Sequence, residues 1–353
     1  MSDSYISEIK ASDSYQKEQL FHLLSEAGIR LDSHLDYTCG LFNEEGELLA
    51  TGSCYANTLR CLCVAPSHQG EGLMNQIVSH LIRIQFELGN SHLFLYTKCT
   101  SADFFAGLGF HEILRIKDQI VFMENRSSGF HSYLHQLLEE TTAFSCPPSA
   151  KATAIVMNAN PFTLGHQFLV ETAAAENDLV HLFLLREENP LIPFSVRKNL
   201  VQQGISHLKN VILHDTGSYM ISQATFPGYF QKDADAVIES QANLDLELFL
   251  QIAQTLHISS RYVGEEPFSH TTAIYNRIMK AKLTADHISC HVIPRKKVKD
   301  TFISASLVRQ QLKKGDSSLI KEMVPPSTYD FFCSSAGQTI IRSLQNCPDV
   351  FHH

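Results

Sequence analysis

Two short segments carry residue types that suit phosphate chemistry, at the spacing of helix starts: Thr163-Leu164-Gly165-His166 and Ile303-Ser304-Ala305-Ser306-Leu307-Val308-Arg309. The first follows the apolar run Ala154-Ile155-Val156-Met157 and the breaker Asn160-Pro161. From Thr163 the pattern turns helical, with Phe168, Leu169, Thr172 and Ala173 on one side. Gly165 and His166 then fall in a first helical turn, where unpaired N–H groups and the positive dipole end favour an anion. Gly165 permits close backbone approach, and His166 can donate a hydrogen bond to an α-phosphate as charge builds there in the transition state. A plain strand-to-helix turn with a capping Thr and an incidental His is the alternative. In the second segment Ser304 is placed to cap a helix, Ser306 offers a hydroxyl in the first turn, and Arg309 reaches the same anion one turn on. An ordinary Ser-capped helix is the alternative there. Taken together they describe two helix N-termini facing one triphosphate, with positive groups and N–H dipoles dominating over general bases. Arg197-Lys198 and Arg295-Lys296 are further cations for that triphosphate, or solvated surface charge.

The elements that must position these residues form an α/β chain of 353 residues, longer than one typical domain. Residues 151–353 alternate strand and helix, with strands expected over 153–159, 180–185, 210–214, 260–263 and 290–293. This predicts a doubly wound, Rossmann-like parallel sheet with its ligand at the carboxyl ends of the strands. Helical insertions are expected near 233–257 and 270–283, and a closing helix over 328–344 after the stop Val324-Pro325-Pro326. Residues 1–126 read as helix, strands, helix, strand, short helix, strand, with a strand pair over 37–42 and 48–56 about Asn43-Glu44-Glu45-Gly46. Gln69-Gly70-Glu71-Gly72-Leu73-Met74 opens a long amphipathic helix to about residue 88. Residues 127–150, mixing Ser, Gly, Thr and Pro147-Pro148 about a short helix, are a linker candidate.

Composition excludes several classes. A net charge of −9 argues against nonspecific nucleic-acid binding, so the nucleotide motif should serve a small molecule. Hydrophobic residues at 44% and charged residues at 18% describe a globular chain. No secretory signal and no membrane-spanning apolar run are read in the sequence, and the nine cysteines are irregularly spaced, so a reducing cytoplasmic location is expected. Cys61-x-Cys63 reads as strand packing in preference to metal ligation. His287 and His291 have a helical metal spacing, but 290–293 reads as a strand, so no protein-bound metal is expected.

The two motifs, each following an expected strand, resemble the H/T-x-G-H and I-S-x-S-x-x-R motifs of the nucleotidyltransferase superfamily. Within it, M-N-A-N-P-F-T-L-G-H from Met157 to His166 resembles the version carried by the citrate lyase ligase family. Also similar to that family are Gly217-Ser218-Tyr219-Met220-Ile221-Ser222-Gln223-Ala224-Thr225-Phe226-Pro227, Tyr262-Val263-Gly264-Glu265-Glu266-Pro267-Phe268 with Tyr275-Asn276, and Ile293-Pro294-Arg295-Lys296. The N-terminal domain resembles the GNAT acetyltransferase fold, in its Gly70-Glu71-Gly72 loop and its late Phe105-Ala106-Gly107-Leu108-Gly109-Phe110.

The resemblance implies an AMP-forming ligase: ATP, with phosphate-bound Mg2+, activates acetate as acetyl-adenylate. A thiol on the phosphopantetheine-like arm of the citrate lyase complex's acyl-carrier subunit then displaces AMP. His166, Thr163, Ser306 and Arg309 would carry the chemistry. Nucleotide contacts would come from Asn158, Asn160, Phe162 and Gly165, from Arg197 and Lys198, from Gly264, Glu265 and Arg295, and from Ile303 and Ser304. Glu265, Glu266 and Tyr275 are further candidates for the adenosine or acyl part. Val64, Gly70 and Gly72 would hold the arm. Ser67 stands where the GNAT pattern has Gln or Arg, so the domain is expected to dock the arm without transferring acetyl from acetyl-CoA, or to be a scaffold. Two other readings stay open: a small-molecule adenylyltransferase of the pantetheine-phosphate or pyridine-nucleotide type, and a non-catalytic carrier-binding module. The fused N-terminal domain disfavours the first, and intact Thr163, His166, Ser306 and Arg309 disfavour the second.

Overall fold

The computed structural model describes residues 4–32, 35–144, 150–186, 191–221, 226, 234–265, 270–315 and 317–346. Among the segments named above, Pro147-Pro148, 222–225, Pro227 and Glu266-Pro267-Phe268 lie outside these residues. Contacts divide the chain into two units, residues 1–132 with 226–244 and residues 133–225 with 245–353.

The first unit contains β1 (Tyr5–Glu8), α1 (Ser14–Glu26), β2 (Tyr37–Phe42), β3 (Leu48–Tyr55), β4 (Thr58–Val64), α2 (Leu73–Glu87), β5 (Phe94–Thr97), α3 (Ala102–Gly107), β6 (His111–Ile116) and β7 (Ile120–Glu124). Its sheet has the order β1-β2-β3-β4-β5-β7-β6. Every pairing is antiparallel except β4 with β5, which meet only at Thr58–Phe94 and Leu59–Leu95. α1 packs Leu20, Leu23 and Leu24 with Phe42, Leu48, Cys61 and Cys63. α2 packs Leu73, Ile77, Val78 and Leu81 with Cys39, Leu41 and Ala50. Because strand residues alternate faces, the two helices cover opposite sides. Cys61 and Cys63 are core residues, and burial pushes their thiols up to about 12 and about 11. Two strands were hidden in the sequence. β1 is a four-residue edge strand, and the single strand expected after α3 is the pair β6–β7. Asp118 turns that pair at φ 59 with no glycine to mark it.

α4 (Gly129–Ala143) follows, a helix of 15 residues within 127–150. The second unit continues with β8 (Ala152–Met157), α5 (Leu164–Glu176), β9 (Leu179–Leu184), α6 (Phe194–Gly204), β10 (Val211–Asp215), α7 (Ala234–Thr255, begun in the first unit), β11 (Ile258–Gly264), α8 (His270–Ala285) and β12 (Ser289–Ile293). The five strands are parallel in the order β10-β9-β8-β11-β12. All six residues of β9 are buried, as a strand covered on both faces requires. The order reverses between β8 and β11, so the crevice for a ligand opens at Met157 and Gly264.

Two expectations differ from the structure. The buried side of α5 is Leu169, Val170 and Ala173, while Phe168 is 37% exposed with the Lys296 ammonium 5.6 Å above its ring. The strand expected at 290–293 is β12 of the main sheet, and a hairpin not expected from the sequence, β13 (Lys297–Val298) with β14 (Thr301–Phe302), stands between it and the Ser-rich motif. After α9 (Ala305–Lys314) and α10 (Ser317–Met323), the closing helix is two helices, α11 (Pro326–Cys333) and α12 (Ser335–Asn346). Ser334 is extended between them and its Oγ accepts from Gly337 N–H (3.2 Å). The crossing is tight: a Cβ at Gly337 would lie 2.1 Å from the Phe331 carbonyl oxygen. No helix among the described residues is long and apolar enough to cross a membrane.

Candidate active site

Side-chain caps build both helix starts. Thr163 is extended, and its Oγ1 accepts from His166 N–H (3.3 Å) while its own N–H donates to His166 Nδ1 (3.1 Å). This is a capping box with His in the place usually held by Glu or Gln. Its chemical consequence is the tautomer: Nδ1 accepts, so the proton of the neutral ring sits on Nε2. Burial first, and then the Arg295 guanidinium, holds the His166 pKa down to about 4. Phe162, fully buried, stacks on the imidazole with ring centroids 5.9 Å apart. Behind it Gly204 must lack a side chain, because a Cβ there would meet the Phe162 ring at 2.4 Å.

At the second start Ser304 Oγ accepts from Leu307 N–H (3.1 Å). Arg309, 2% exposed, donates through Nη1 to the Asn160 carbonyl (2.5 Å) and through Nη2 to Ser306 Oγ (3.4 Å). A Cβ at Gly165 would lie 3.7 Å from the Ile303 carbonyl oxygen, so the two helix starts adjoin. Arg197, wholly buried, clasps the same loop. Its Nη1 donates to Asn158 O (2.6 Å), Asn158 Oδ1 (2.8 Å) and Leu185 O (3.1 Å), and its Nε to Ile192 O (3.3 Å). Asn160 is 3% exposed, and neither its amide oxygen nor its nitrogen has a hydrogen-bond partner among the described residues. A buried amide is costly until it is paired, so the Asn160 side chain has donors and an acceptor to offer a polar group. At the end of β11, exposed Glu265 gives its N–H to Ile293 O (2.9 Å) and accepts from Arg295 Nε through its carbonyl (2.8 Å). Gly264 beside it has open space where a Cβ would be.

The nucleotide-site residues expected from the sequence are thus gathered in the second unit, with five placed otherwise than a ligand contact would have them. Phe162 and Arg197 face inward and support the loop. The Thr163 hydroxyl, 2% exposed, lies against His166. Lys198 acts on the Glu140 carboxyl of α4. Tyr275, a candidate for the adenosine or acyl part, instead donates to the buried Asp245 (2.6 Å) and accepts from Arg261 (3.2 Å). Sequence reading alone passes over Arg261 and Asp245; the available signal was a charged residue in the middle of a buried parallel strand. Among the described residues no group of three His, Cys, Asp or Glu side chains is placed to hold a metal ion.

In the first unit, Val64 ends β4 beyond its two-residue pairing with β5. Gly70 and Gly72 follow at φ 90 and 77, a conformation that favours glycine. Gly72 caps α2 with no side-chain hydrogen bond, which leaves first-turn N–H groups for an anion.

Residues 152–332 match the citrate lyase ligase C-terminal domain, and residues 5–110 match the acetyltransferase (GNAT) family. The chain is 36% identical to the citrate (pro-3S)-lyase ligase of Klebsiella pneumoniae, over 92% of this chain and 94% of that one. This protein belongs to the citrate lyase ligase family. The ligase of the same name from Haemophilus influenzae is 35% identical, over 87% of this chain and 92% of its own. That of Escherichia coli K12 is 33% identical, over 92% of each. As a member of the citrate lyase ligase family the chain is an enzyme, and the ligase match contains both helix starts while the GNAT match contains the Gly70–Gly72 loop.

Proposed function

We propose that the chain is an ATP-dependent ligase that converts acetate to acetyl-adenylate and passes the acetyl group to the thiol of citrate lyase's acyl-carrier subunit. AMP and pyrophosphate are the other products. Beyond family membership, the observation that carries this reading is the pairing of a neutral His166, protonated on Nε2, with Arg309 across the loop that holds the unpartnered Asn160 amide.

Acetate is ionised at neutral pH, so its oxygen attacks the α-phosphorus without a base, and the bond to pyrophosphate breaks. His166 Nε2–H donates to the α-phosphate as its charge grows. The first-turn N–H groups of α5 and α9, with Asn160 and Ser306, bind further phosphate oxygens. Arg309 and Arg295 supply positive charge toward the β- and γ-phosphates. Magnesium, bound to phosphate oxygens, would offset charge on the leaving pyrophosphate. Thr163 and Phe162 position His166, and Arg197 positions Asn158. In the second step the carrier thiolate attacks the acetyl carbonyl and displaces AMP. The GNAT-like unit docks the carrier's arm, its pyrophosphate-like end on the Gly70–Gly72 loop and its stem along Val64. An ATP-consuming enzyme with buried free cysteines fits a cytoplasmic location.

Acetate labelled in both oxygens with oxygen-18 tests the reading. One labelled oxygen should appear in AMP. Label confined to pyrophosphate or phosphate would exclude an acetyl-adenylate.

A further inference from the structure

In the second unit the parallel register sets Arg261 of β11, Ala154 of β8 and His181 of β9 in one row. Residues in register present their side chains to one face. It is the face away from α5, because the next residue, Tyr262, turns the other way and donates to Glu176 of α5. Arg261 is 4% exposed and His181 is fully buried. The Arg261 guanidinium lies 4.4 Å from the centre of the Phe249 ring and gives Nη2 to the Tyr275 hydroxyl. The Tyr275 proton goes to Asp245, whose other oxygen accepts from Ile221 N–H (3.0 Å). The resident carboxylate is therefore satisfied without Arg261 Nε and Nη1, and these have no hydrogen-bond partner among the described residues. His181 Nδ1 shares a hydrogen bond with His214 Nε2 (2.9 Å), and His214 Nδ1 meets the Glu140 carboxylate (2.6 Å). His181 Nε2 is likewise without a partner among the described residues. Ala154, the residue between them in the row, carries only a methyl, and the two backbones are two strand spacings, roughly 10 Å, apart.

We infer that Arg261 and His181 form a buried receptor for a short-chain carboxylate, and, resting on the acetate-activating reading, that the carboxylate is acetate. A guanidinium with unused N–H donors in a dry interior is stable only when an acceptor pairs them. A carboxylate matches its planar fork. Burial pushes the Asp245 carboxyl above its usual range, toward its neutral form, so the Arg261 charge can answer one monoanion, whereas a phosphate dianion would leave excess buried charge. A carboxylate in this row selects His181 with its proton on Nε2, its Nδ1 then accepting from His214 Nε2, while His214 Nδ1 faces the Glu140 carboxylate. That bond is the chief cause holding the Glu140 carboxyl below its usual range.

Equilibrium dialysis of carbon-14 acetate against the full chain, run beside acetate-dependent ATP–pyrophosphate exchange, tests the receptor. Arg261→Met preserves side-chain length and the apolar contact with Phe249. It should weaken acetate binding roughly 100-fold, about 2.7 kcal/mol, with the ATP requirement unchanged. Ala154→Val fills the row between Arg261 and His181, and should weaken acetate while keeping the melting temperature. This variant decides the matter if Arg261→Met does not fold. If the receptor holds the reacting acid, KM for acetate rises with the lost affinity. If it holds a second acetate, the chain binds one acetate fewer and KM stays. Undiminished acetate binding by a folded Arg261→Met or Ala154→Val chain overturns the receptor. A wild-type chain that binds acetate but exchanges no pyrophosphate overturns the adenylate reading and leaves the receptor standing.

Discussion

Replacing His166 by Asn separates its two roles. Asn Oδ1 occupies the place of imidazole Nδ1 and can still accept from Thr163 N–H, whereas nothing replaces the donor at Nε2. The helix start should therefore persist while the donor to the α-phosphate is lost. Removal of one such donor lowers the rate by roughly 100- to 1,000-fold, about 2.7–4 kcal/mol of transition-state stabilisation. His166→Ala removes the cap partner as well and should lose a further stability of about 1 kcal/mol. Acetate-dependent ATP–pyrophosphate exchange reports the chemical step, equilibrium binding reports ATP affinity, and thermal unfolding reports the cap. His166→Asn should exchange slowly, bind ATP nearly as well as wild type, and melt at the wild-type temperature. The pH dependence follows from the same geometry. The folded imidazole titrates near 4 against its ordinary 6.5, so below 6.5 the unfolded chain takes up the proton first. The stability that comes from keeping the ring neutral is full above 6.5 and is lost as pH falls toward about 4. Exchange should accordingly show no acid limb at 6.5 in the wild type. An Asn variant with near-normal exchange, or an acid limb at 6.5, would refute the argument.

Arg309→Ala should weaken ATP binding more than His166→Asn does, by roughly 30-fold or more, because a buried cation acts before as well as during reaction. It should also lower stability by about 1–3 kcal/mol through the orphaned Asn160 carbonyl. Unchanged ATP affinity would make Arg309 purely structural. Gly204→Ala sets a Cβ 2.4 Å from the Phe162 ring, and the resulting displacement should reduce stability by roughly 1–3 kcal/mol. It should also slow exchange through His166, and wild-type exchange and melting together would break that link. Gly70→Val, at φ 90, should slow acetylation of the carrier and leave acetate-dependent exchange intact, since a β-branched side chain resists that conformation. Equal acetylation rates would remove the loop from arm docking.

What the chain declared by itself was local or periodic. Thr163 and Ser304 are recognisable because a cap and the N–H it accepts are three residues apart, well within one segment. The inner strands β8 and β9 are legible because burial on both faces demands continuous apolar runs bounded by breakers. Edge strand β1 and hairpin β6–β7 gave no such signal, being short or turned by a non-glycine residue. Roles that depend on facing direction were decided only by packing. Phe162 belongs to the same motif as His166, and Arg197 in α6 was read as a cation for the triphosphate, yet packing draws both inward as supports. Phe168 turns outward because Leu169, Val170 and Ala173 fix the helix's rotation on the sheet. The approach of Gly165 to Ile303 and the row Arg261–Ala154–His181 join residues about a hundred or more positions or several elements apart. Sequence spacing carries no information about such neighbours, because strand order and register set them through contacts the whole fold must close at once.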